Sequence, residues 1–549
     1  MQGLMMDFPL TLTHLLRRAE TLFPRREIVD RRPDRTFFRY TYAEFIDRAK
    51  RLAVALRDLG LARGDRVATL MWNQHEHLEA YFGIPLAGAV LHTLNLRLPP
   101  EDLRFIIEHA DDRALIVDQT LLPLLEKIGP LPTVRHVFVA GVPADASLPE
   151  DLRPYEALLA GADPARFVEP ELDERDAAAM CYTSGTTGQP KGVVYSHRAL
   201  VLHSIVSAMA DGLGVRESDA VLPVVPMFHV NAWGLPYTTT LVGAKHVLPG
   251  MHLDPASLLE AFQAERVTLT AGVPTIWLGV LQRLDQNPGA YDLSALRALL
   301  VGGAAAPEGM IRDFQERHGL TVVHAWGMTE TTPLGTIAFL SPETAALPED
   351  ARYRLRAKQG RPVPLVEIRA RGPEGFVPWN GEAMGELEVR GPWIAAAYHN
   401  APEAADRWTD DGWFRTGDIV TIDPHGYVEI KDRDKDLVKS GGEWISTMAL
   451  ENALMTHPAV LEAAVIAVPH PKWQERPLAV VVLKPGHTPD EAMKAALFDA
   501  LRPKFARWQL PDDIVFVDQI PRTSTGKFLK RALRERFKHH LDAQGEPIA

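Results

Sequence analysis

Cysteine is nearly absent: Cys181 is the single one in 549 residues, so no intramolecular disulfide can form and a disulfide-stapled secreted fold is excluded. Such usage suits a reducing compartment. Cys181 itself is open to two readings, a nucleophile or a small buried residue, and its neighbours Met180 and Tyr182 favour the second. The chain also lacks a basic excess, with a net charge of −12 and both signs interspersed, which argues against nucleic acid as a partner. Long apolar runs are missing too. The nearest, AYFGIPLAGAVLHTLNL at 80–96, contains Pro85, His92 and Asn95 and is too short and polar to span a bilayer. The opening MQGLMMDFPLTLTHLLRRAETLF has no basic start before an apolar core, and Asp7 and Pro9 interrupt it, so no signal peptide is predicted. The last four residues, Glu-Pro-Ile-Ala, are not a Ser-Lys-Leu address. The expected location is cytoplasmic.

Hydrophobic residues make up 46% of the chain, enough for large cores and, at this length, for more than one domain. Helical periodicity alternates with short aliphatic runs: EDLRFIIEHA (101–110) precedes RALIVD (113–118), and LLEAFQAE (258–265) precedes VTLTAGV (267–273). This alternation predicts α/β layers with parallel strands. From about residue 385 the pattern changes to short strands and turns, as in GELEVRGPW and DGWFRTGDIVTIDPHGYVEI. After residue 431 comes the charged string KDRDKDLVKSGGEW, read as a hinge, and then helix 448–458, strands EAAVIAVP and LAVVVLKPG, and helix 491–505. The expected organisation is a large layered N-terminal domain (1–431) with parallel sheets and a β-rich subdomain, a linker (432–437), and a small mobile α+β C-terminal domain (438–549).

The stretch YTSGTTGQPKG (182–192) concentrates Gly, Ser, Thr and a lysine, a composition that leaves many backbone N–H groups free to face one anion. It fails the Walker spacing, because Gly185 is followed by Thr186-Thr187-Gly188-Gln189-Pro190-Lys191-Gly192. Strand-like AAAMCY (177–182) precedes it and GVVYS (192–196) comes after, with Ser196 as the cap of a helix from His197. The loop is thus predicted to join two strands and to be more mobile than a Walker loop. Further on, Gly302 to Ala306 is a small-residue segment after strand-like ALRALLV, where small side chains let backbone approach a ligand.

Four stretches in order, YTSGTTGQPKG, HAWGMTE (324–330), WFRTGDI (413–419) and PRTSTGK (521–527), together resemble the adenylate-forming superfamily of acyl-CoA synthetases, luciferases and adenylation domains, over essentially the whole chain. VLPVVPMFHVNAWGLPY (221–237) and KSGGEWIS (439–446) look most like bacterial fatty-acyl-CoA synthetases and ligases of short thioether acids such as 3-methylmercaptopropionate. The resemblance implies ATP and CoA as co-substrates and Mg²⁺ as cofactor. It puts Thr183, Ser184, Gly185, Thr186, Thr187 and Lys191 around the β- and γ-phosphates. Gly303, Ala304, Ala305, Ala325, Gly327 and Thr329 join the nucleotide site, and Trp326 stacks on adenine. Glu330 and Thr183 are the implied Mg²⁺ ligands, both hard oxygen donors suited to a hard cation. Asp418 accepts from the ribose hydroxyls, with Arg433 beside it. Lys527 bridges the attacking carboxylate and the α-phosphate; the flanking Arg522, Lys530 and Arg531 read as basic surface. Many relatives have Gly-Tyr where this chain has Ala325-Trp326.

The acyl pocket is implied at His229, Val230 and Trp233, with Gly303. Amine-containing acids are disfavoured because no carboxylate follows Phe228. Asp432 matches the hinge position, and Lys435, Lys439, Gly441, Gly442, Glu443 and Trp444 belong to the hinge and CoA face, about which the small domain turns between the two reactions. By the same resemblance the N-terminal segment dimerises. The leading function is an ATP-dependent acyl-CoA synthetase for a medium- or long-chain acid. The alternatives are a short thioether acid or, from another class, a non-catalytic acyl- or nucleotide-binding protein.

Overall fold

The computed structural model describes residue 1, residues 3–183, 189–441, 443–522, 528–541 and residue 547, without the side chain of Glu443. Ser184, Gly185, Thr186, Thr187, Gly442 and Lys527 therefore lie outside the described residues.

Apolar runs become parallel strands where helices cover both faces of the sheet. One sheet orders its strands Leu152–Pro154, His136–Ala140, Asp112–Asp118, Arg66–Leu70, Val90–Thr93, Ala177–Tyr182 and Gly192–Ser196. Its pairings are parallel except the last, where Ala177–Tyr182 and Gly192–Ser196 form an antiparallel hairpin. A larger sheet of nine strands runs from Arg361–Pro362 through Leu334–Ile337, Val322–Gly327, Ala298–Val301, Leu269–Gly272, Ala220–Pro223 and Lys245–Leu248 to Glu27–Arg31 and Phe37–Thr41. Its middle pairings are parallel and its ends antiparallel. The β-rich segment forms a separate antiparallel sheet, with Gly385–Arg390, Phe414–Ile422 and Val428–Arg433 side by side.

The smaller C-terminal domain is built on Val460–His470 paired with Gln474–Leu483. Ala463, Val465 and Ala467 pack into one core with the helices Thr447–Met455 and Glu491–Leu501, while Ala464, Ile466 and Val468 pack into another with Leu533 of Lys530–Arg536. Successive side chains point to opposite faces of a strand, so both faces must be covered. This is why EAAVIAV is apolar at every position after its glutamate rather than at alternate ones. The helix expected over 491–505 ends at Leu501, because Pro503 has no N–H and its ring excludes the preceding turn. Among the described residues, no helix is long and apolar enough to cross a membrane.

A buried charged knot ties the two large sheets together. His75, opening the helix His75–Leu86, has Nδ1 at 2.6 Å from Asp30 Oδ2 on the strand Glu27–Arg31 and 3.0 Å from Glu76 Oε2. Burial works against the imidazolium, yet Glu76 and Asp30 outweigh it and raise the group to about 9. Nδ1–H thus donates to Asp30 Oδ2 with the Glu76 carboxylate beside it as an ion pair, and the Gln74 amide donates to Glu76 Oε2 at 3.0 Å. The three residues are close enough to share a metal ion, but these hydrogen bonds already account for their grouping.

The expected linker begins inside a strand. Asp432 and Arg433 are the last residues of Val428–Arg433, paired with Ile419 and Asp418, and Val438 opens the first strand of the small domain.

Candidate active site

Tyr182 and Gly192 are register partners at the base of the hairpin that carries the glycine-rich loop. Thr183 N donates to Lys191 O at 2.9 Å, and Lys191 N donates to Thr183 Oγ1 at 3.1 Å. The base is therefore closed by backbone, and the Thr183 hydroxyl keeps its own proton and a lone pair to offer. From outside, His399 N donates to Gly192 O at 2.8 Å, and Tyr182 OH lies 2.7 Å from His109 Nδ1. Just before the loop, Cys181 is buried, and desolvation pushes its thiol up to about 11. A thiol that stays protonated is a poor nucleophile, so the buried reading holds. The helix cap expected at Ser196 is present, with Ser196 Oγ accepting from Ala199 N.

HAWGMTE runs off the strand Val322–Gly327 into a short turn at Thr329–Thr331. Gly327 sits at a register shift against Leu334–Ile337, and a Cβ there would collide with Pro333 O, so the bend requires glycine. Glu330 is buried; its Oε1 accepts from Tyr398 OH at 2.5 Å, and its backbone O accepts from Ala395 N at 2.8 Å. Burial and the Glu330 charge hold the Tyr398 phenol well above its ordinary range, so it remains a donor. Neighbouring Thr329 has its carbonyl held by Tyr195 OH at 2.8 Å. Tyr195 and Tyr398 have no sequence signal of their own: one lies in a strand, the other in the irregular segment after Gly385–Arg390, and only folding brings both to the TE pair.

Trp326, Asp418 and Arg433 meet. Trp326 Nε1 donates to Asp418 Oδ2 at 2.9 Å, while Arg433 Nε lies 2.6 Å from Oδ1. Asp418 and Arg433 are cross-strand partners. Asp418 is buried, and Oδ1 has no donor aligned on it despite the nearby guanidinium. A buried ionised oxygen in that condition is a ready acceptor for a ligand hydroxyl. Trp326 is itself buried against Gly335, where a Cβ would strike the indole.

Strain concentrates in PMFHVNAWG. Val230, Asn231, Ala232, Trp233 and Gly234 all have positive φ, between 45° and 73°. Left-handed backbone costs roughly 1–2 kcal/mol per L-residue, and a β-branched Val230 there is a marked outlier. The run turns Trp233 over Gly302, where a Cβ would lie 2.9 Å from the indole Cη2 and 3.1 Å from Ala325 O. Trp233, the segment after Ala298–Val301 and Ala325 thus converge. Gly303, with φ +77°, and Ala304 are exposed at this bend and Ala305 is partly so. His229 is half-buried beside the turn, its backbone N–H donating to Pro226 O at 3.0 Å. Asn231 Oδ1 accepts from the Cys181 thiol at 3.2 Å, joining the turn to the strand that leads to the glycine-rich stretch.

At the expected hinge, the Asp432 backbone belongs to the large domain's ladder but its Oδ2 accepts from Thr447 N at 2.6 Å and Thr447 Oγ1 at 2.7 Å. Lys530 is not surface: its Nζ lies 2.6 Å from Glu451 Oε1 and donates to Thr447 Oγ1 at 2.7 Å. Burial opposes its charge, but Glu451 and Asp432 hold the ammonium above the usual lysine range. Arg522 pairs with Glu462 at 2.5 Å, and Arg531 is exposed. Lys435 lies on the turn after Arg433, its carbonyl accepting from Arg534. The strands Val438–Ser440 and Glu443–Ile445 pair antiparallel with Lys439 and Trp444 as partners, and Gly441 has φ +61°. Lys439 Nζ pairs with Asp434 at 3.0 Å.

Known proteins resemble this chain in sequence and fold. Residues 17–399 match the family model described as AMP-binding enzyme, and residues 449–527 match the AMP-binding enzyme C-terminal domain. The chain is 54% identical to a long-chain-fatty-acid–CoA ligase of Thermus thermophilus, covering 98% of this chain and 97% of that protein. It is 46% identical to a 3-methylmercaptopropionyl-CoA ligase of Ruegeria pomeroyi, covering 98% and 100%. Its fold superposes on the crystal structure of an anthranilate CoA ligase in complex with anthranoyl-AMP with a TM-score of 0.84 at 28% identity, over 96% of this chain and 98% of that one. Matched across both domains and at this identity, the chain belongs to the AMP-binding enzyme family.

Proposed function

We propose that this protein is an ATP-dependent acyl-CoA ligase for medium- or long-chain aliphatic acids. In the first step a carboxylate oxygen attacks the α-phosphorus of ATP, the P–O bond to the β-phosphate breaks, and pyrophosphate leaves acyl-AMP behind. In the second step the CoA sulfur attacks the acyl carbon, the C–O bond to AMP breaks, and the thiol proton is released. The observation that carries this reading is the 54% identity to a long-chain-fatty-acid–CoA ligase along nearly all of both chains.

The residues fit the chemistry. The first step brings anions together, so donors already oriented at the phosphates contribute most. Lys191 and the loop after Thr183 face the β- and γ-phosphates in this reading, Thr329 the α-phosphate, and Asp418 with Arg433 the ribose. Trp326 offers its indole to adenine. Glu330, oriented by Tyr398, and Thr183, whose hydroxyl keeps its proton, form an oxygen donor set suited to Mg²⁺. When bound, that ion would neutralise phosphate charge. Lys527 serves the first step, and turning of the small domain (438–549) about 432–437 would bring Lys439, Gly441, Gly442, Glu443 and Trp444 to CoA for the second. His229 and the turn around Trp233 receive the acid, with no carboxylate to pair with an amine. The reading extends to a cytoplasmic homodimer.

A second reading, a short thioether acid, is favoured by the 46% identity to a 3-methylmercaptopropionyl-CoA ligase. Pyrophosphate release across acids of increasing length, with ATP and CoA fixed, separates the two. Maximal rates on acids of medium or long chain are expected. A maximum on 3-methylmercaptopropionate transfers the assignment to the second reading, and no release with any acid reduces the protein to a binding protein.

A further inference from the structure

Asn73 is buried between the strand Arg66–Leu70 and the helix His75–Leu86, on the layer of the seven-stranded sheet. Its side chain crosses to the other large sheet. Nδ2 donates to Pro223 O at 2.8 Å and to Val225 O at 2.9 Å, and Oδ1 accepts from Met227 N at 2.7 Å. These are alternate residues of the segment that leaves the strand Ala220–Pro223, so one amide serves as a short stretch of partner strand. Asn73 also accepts from Gly250 N through its backbone O at 2.9 Å. Further along, in the helix His75–Leu86, Tyr81 OH donates to Met227 O. Met227 is therefore gripped on both its backbone groups.

The strained run begins just beyond Met227. Pro226 to His229 closes a turn, and the next five residues are left-handed. A conformation that the local sequence disfavours persists only where its surroundings over-determine it. On the far side the turn is held by Cys181 on Asn231 and by the close approach of Gly302 to Trp233. On the near side the holding groups are Asn73 and Tyr81. We propose that Asn73, with Tyr81 behind it, is a positioning residue for the acyl pocket, fixing where His229 and Trp233 stand and so which acids are accepted. The inference rests on reading residues 226–234 as that pocket.

The adenosine-facing groups Trp326, Asp418 and Arg433 bond to one another and to Thr416 O rather than to the 223–227 segment, which separates the two substrates experimentally. Pyrophosphate release is measured for the parent, Asn73→Ala and Tyr81→Phe, varying acid at saturating ATP and ATP at saturating acid. Removing the amide strands two buried carbonyls and one buried N–H, so Asn73→Ala is expected to raise the acid KM about tenfold or more, flatten the chain-length preference and leave the ATP KM at the parent value. Tyr81→Phe, which keeps the ring and removes one hydrogen bond, moves the acid KM the same way by less. Unchanged acid KM and chain-length profile in the soluble variants overturn the proposal. So does an ATP KM that rises in step with the acid KM, which would signal general damage. If Asn73→Ala fails to fold, Tyr81→Phe decides on the same criteria. An inactive parent overturns the functional reading together with this proposal, whereas an active parent whose variants keep its acid KM overturns the proposal alone.

Discussion

Asp418 receives an indole N–H from the nine-stranded sheet on one oxygen and a guanidinium from its own cross-strand neighbour near the other. That donor and that cation hold a buried carboxylate in place, as the proposed ribose contact requires. In Asp418→Asn the charge and one acceptor are lost while the volume is kept, so the expected effect is on nucleotide. Calorimetric titration should find ATP bound about tenfold or more weakly, the order expected for losing a hydrogen bond to a charged group. Acid KM should stay where it was; a variant that binds ATP as the parent does would remove Asp418 from the ribose site. Asp418, Glu330 and Trp326 were candidates from short motifs, because each motif has a fixed spacing that a local reading can see. Tyr398 could not, since nothing in YHN distinguishes a tyrosine that orients Glu330 from one that packs.

Elements carry the next level of organisation, and Lys530 illustrates it. Three positions from Lys527, in a basic stretch, it has the sequence appearance of a solvated lysine. The helix Lys530–Arg536 instead packs against the strand Val460–His470 through Leu533 and turns the first lysine inward, onto Glu451 and Thr447, beside Asp432. Lys530→Met would leave Glu451 buried without its cation. Breaking a buried pair from one side costs about 3–5 kcal/mol, and calorimetric unfolding should show the small-domain transition falling accordingly. Adding Glu451→Gln should recover part of the loss, and a transition unmoved by Lys530→Met would deny the pair its role. Periodicity made the two long strands Val460–His470 and Gln474–Leu483 and the helices Thr447–Met455 and Glu491–Leu501 legible, with ends short of the expected 448–458 and 491–505, but not the short strands Val438–Ser440, Glu443–Ile445 and Asp513–Phe516 or the helix Lys530–Arg536. Which face Lys530 occupies was not, because burial of one side chain depends on the partner element rather than on its own neighbours in sequence.

Across the whole molecule, the two large sheets are joined by polar side chains as well as by apolar packing. The His75 knot links a strand of one to a helix of the other, and Asn73, two residues earlier, reaches across the same boundary. His75 has its pKa raised to about 9 in the folded protein, above the unfolded value of about 6.5. Its contribution to stability is then fully present below about 6.5 and is lost as pH rises through about 9. Thermal unfolding of the parent should therefore show stability weakening between those limits, and His75→Gln should flatten that part of the profile. A His75→Gln profile parallel to the parent's over this window would contradict the assignment.

By itself the sequence determined the layered α/β class, the change to a β-rich segment and then a small α+β domain, and, through four motifs, the family. Periodicity and motif spacing are local properties, and local residues suffice to set them. The tertiary structure decided which distant groups complete each motif: Tyr398 on Glu330, Trp326 and Arg433 on Asp418, Cys181 on Asn231, and Asn73 on the segment before a left-handed turn. Those contacts join residues up to 154 positions apart. They depend on how the sheets pack, and the left-handed run at 230–234 exists only because packing on both sides outweighs the backbone preference of Val230.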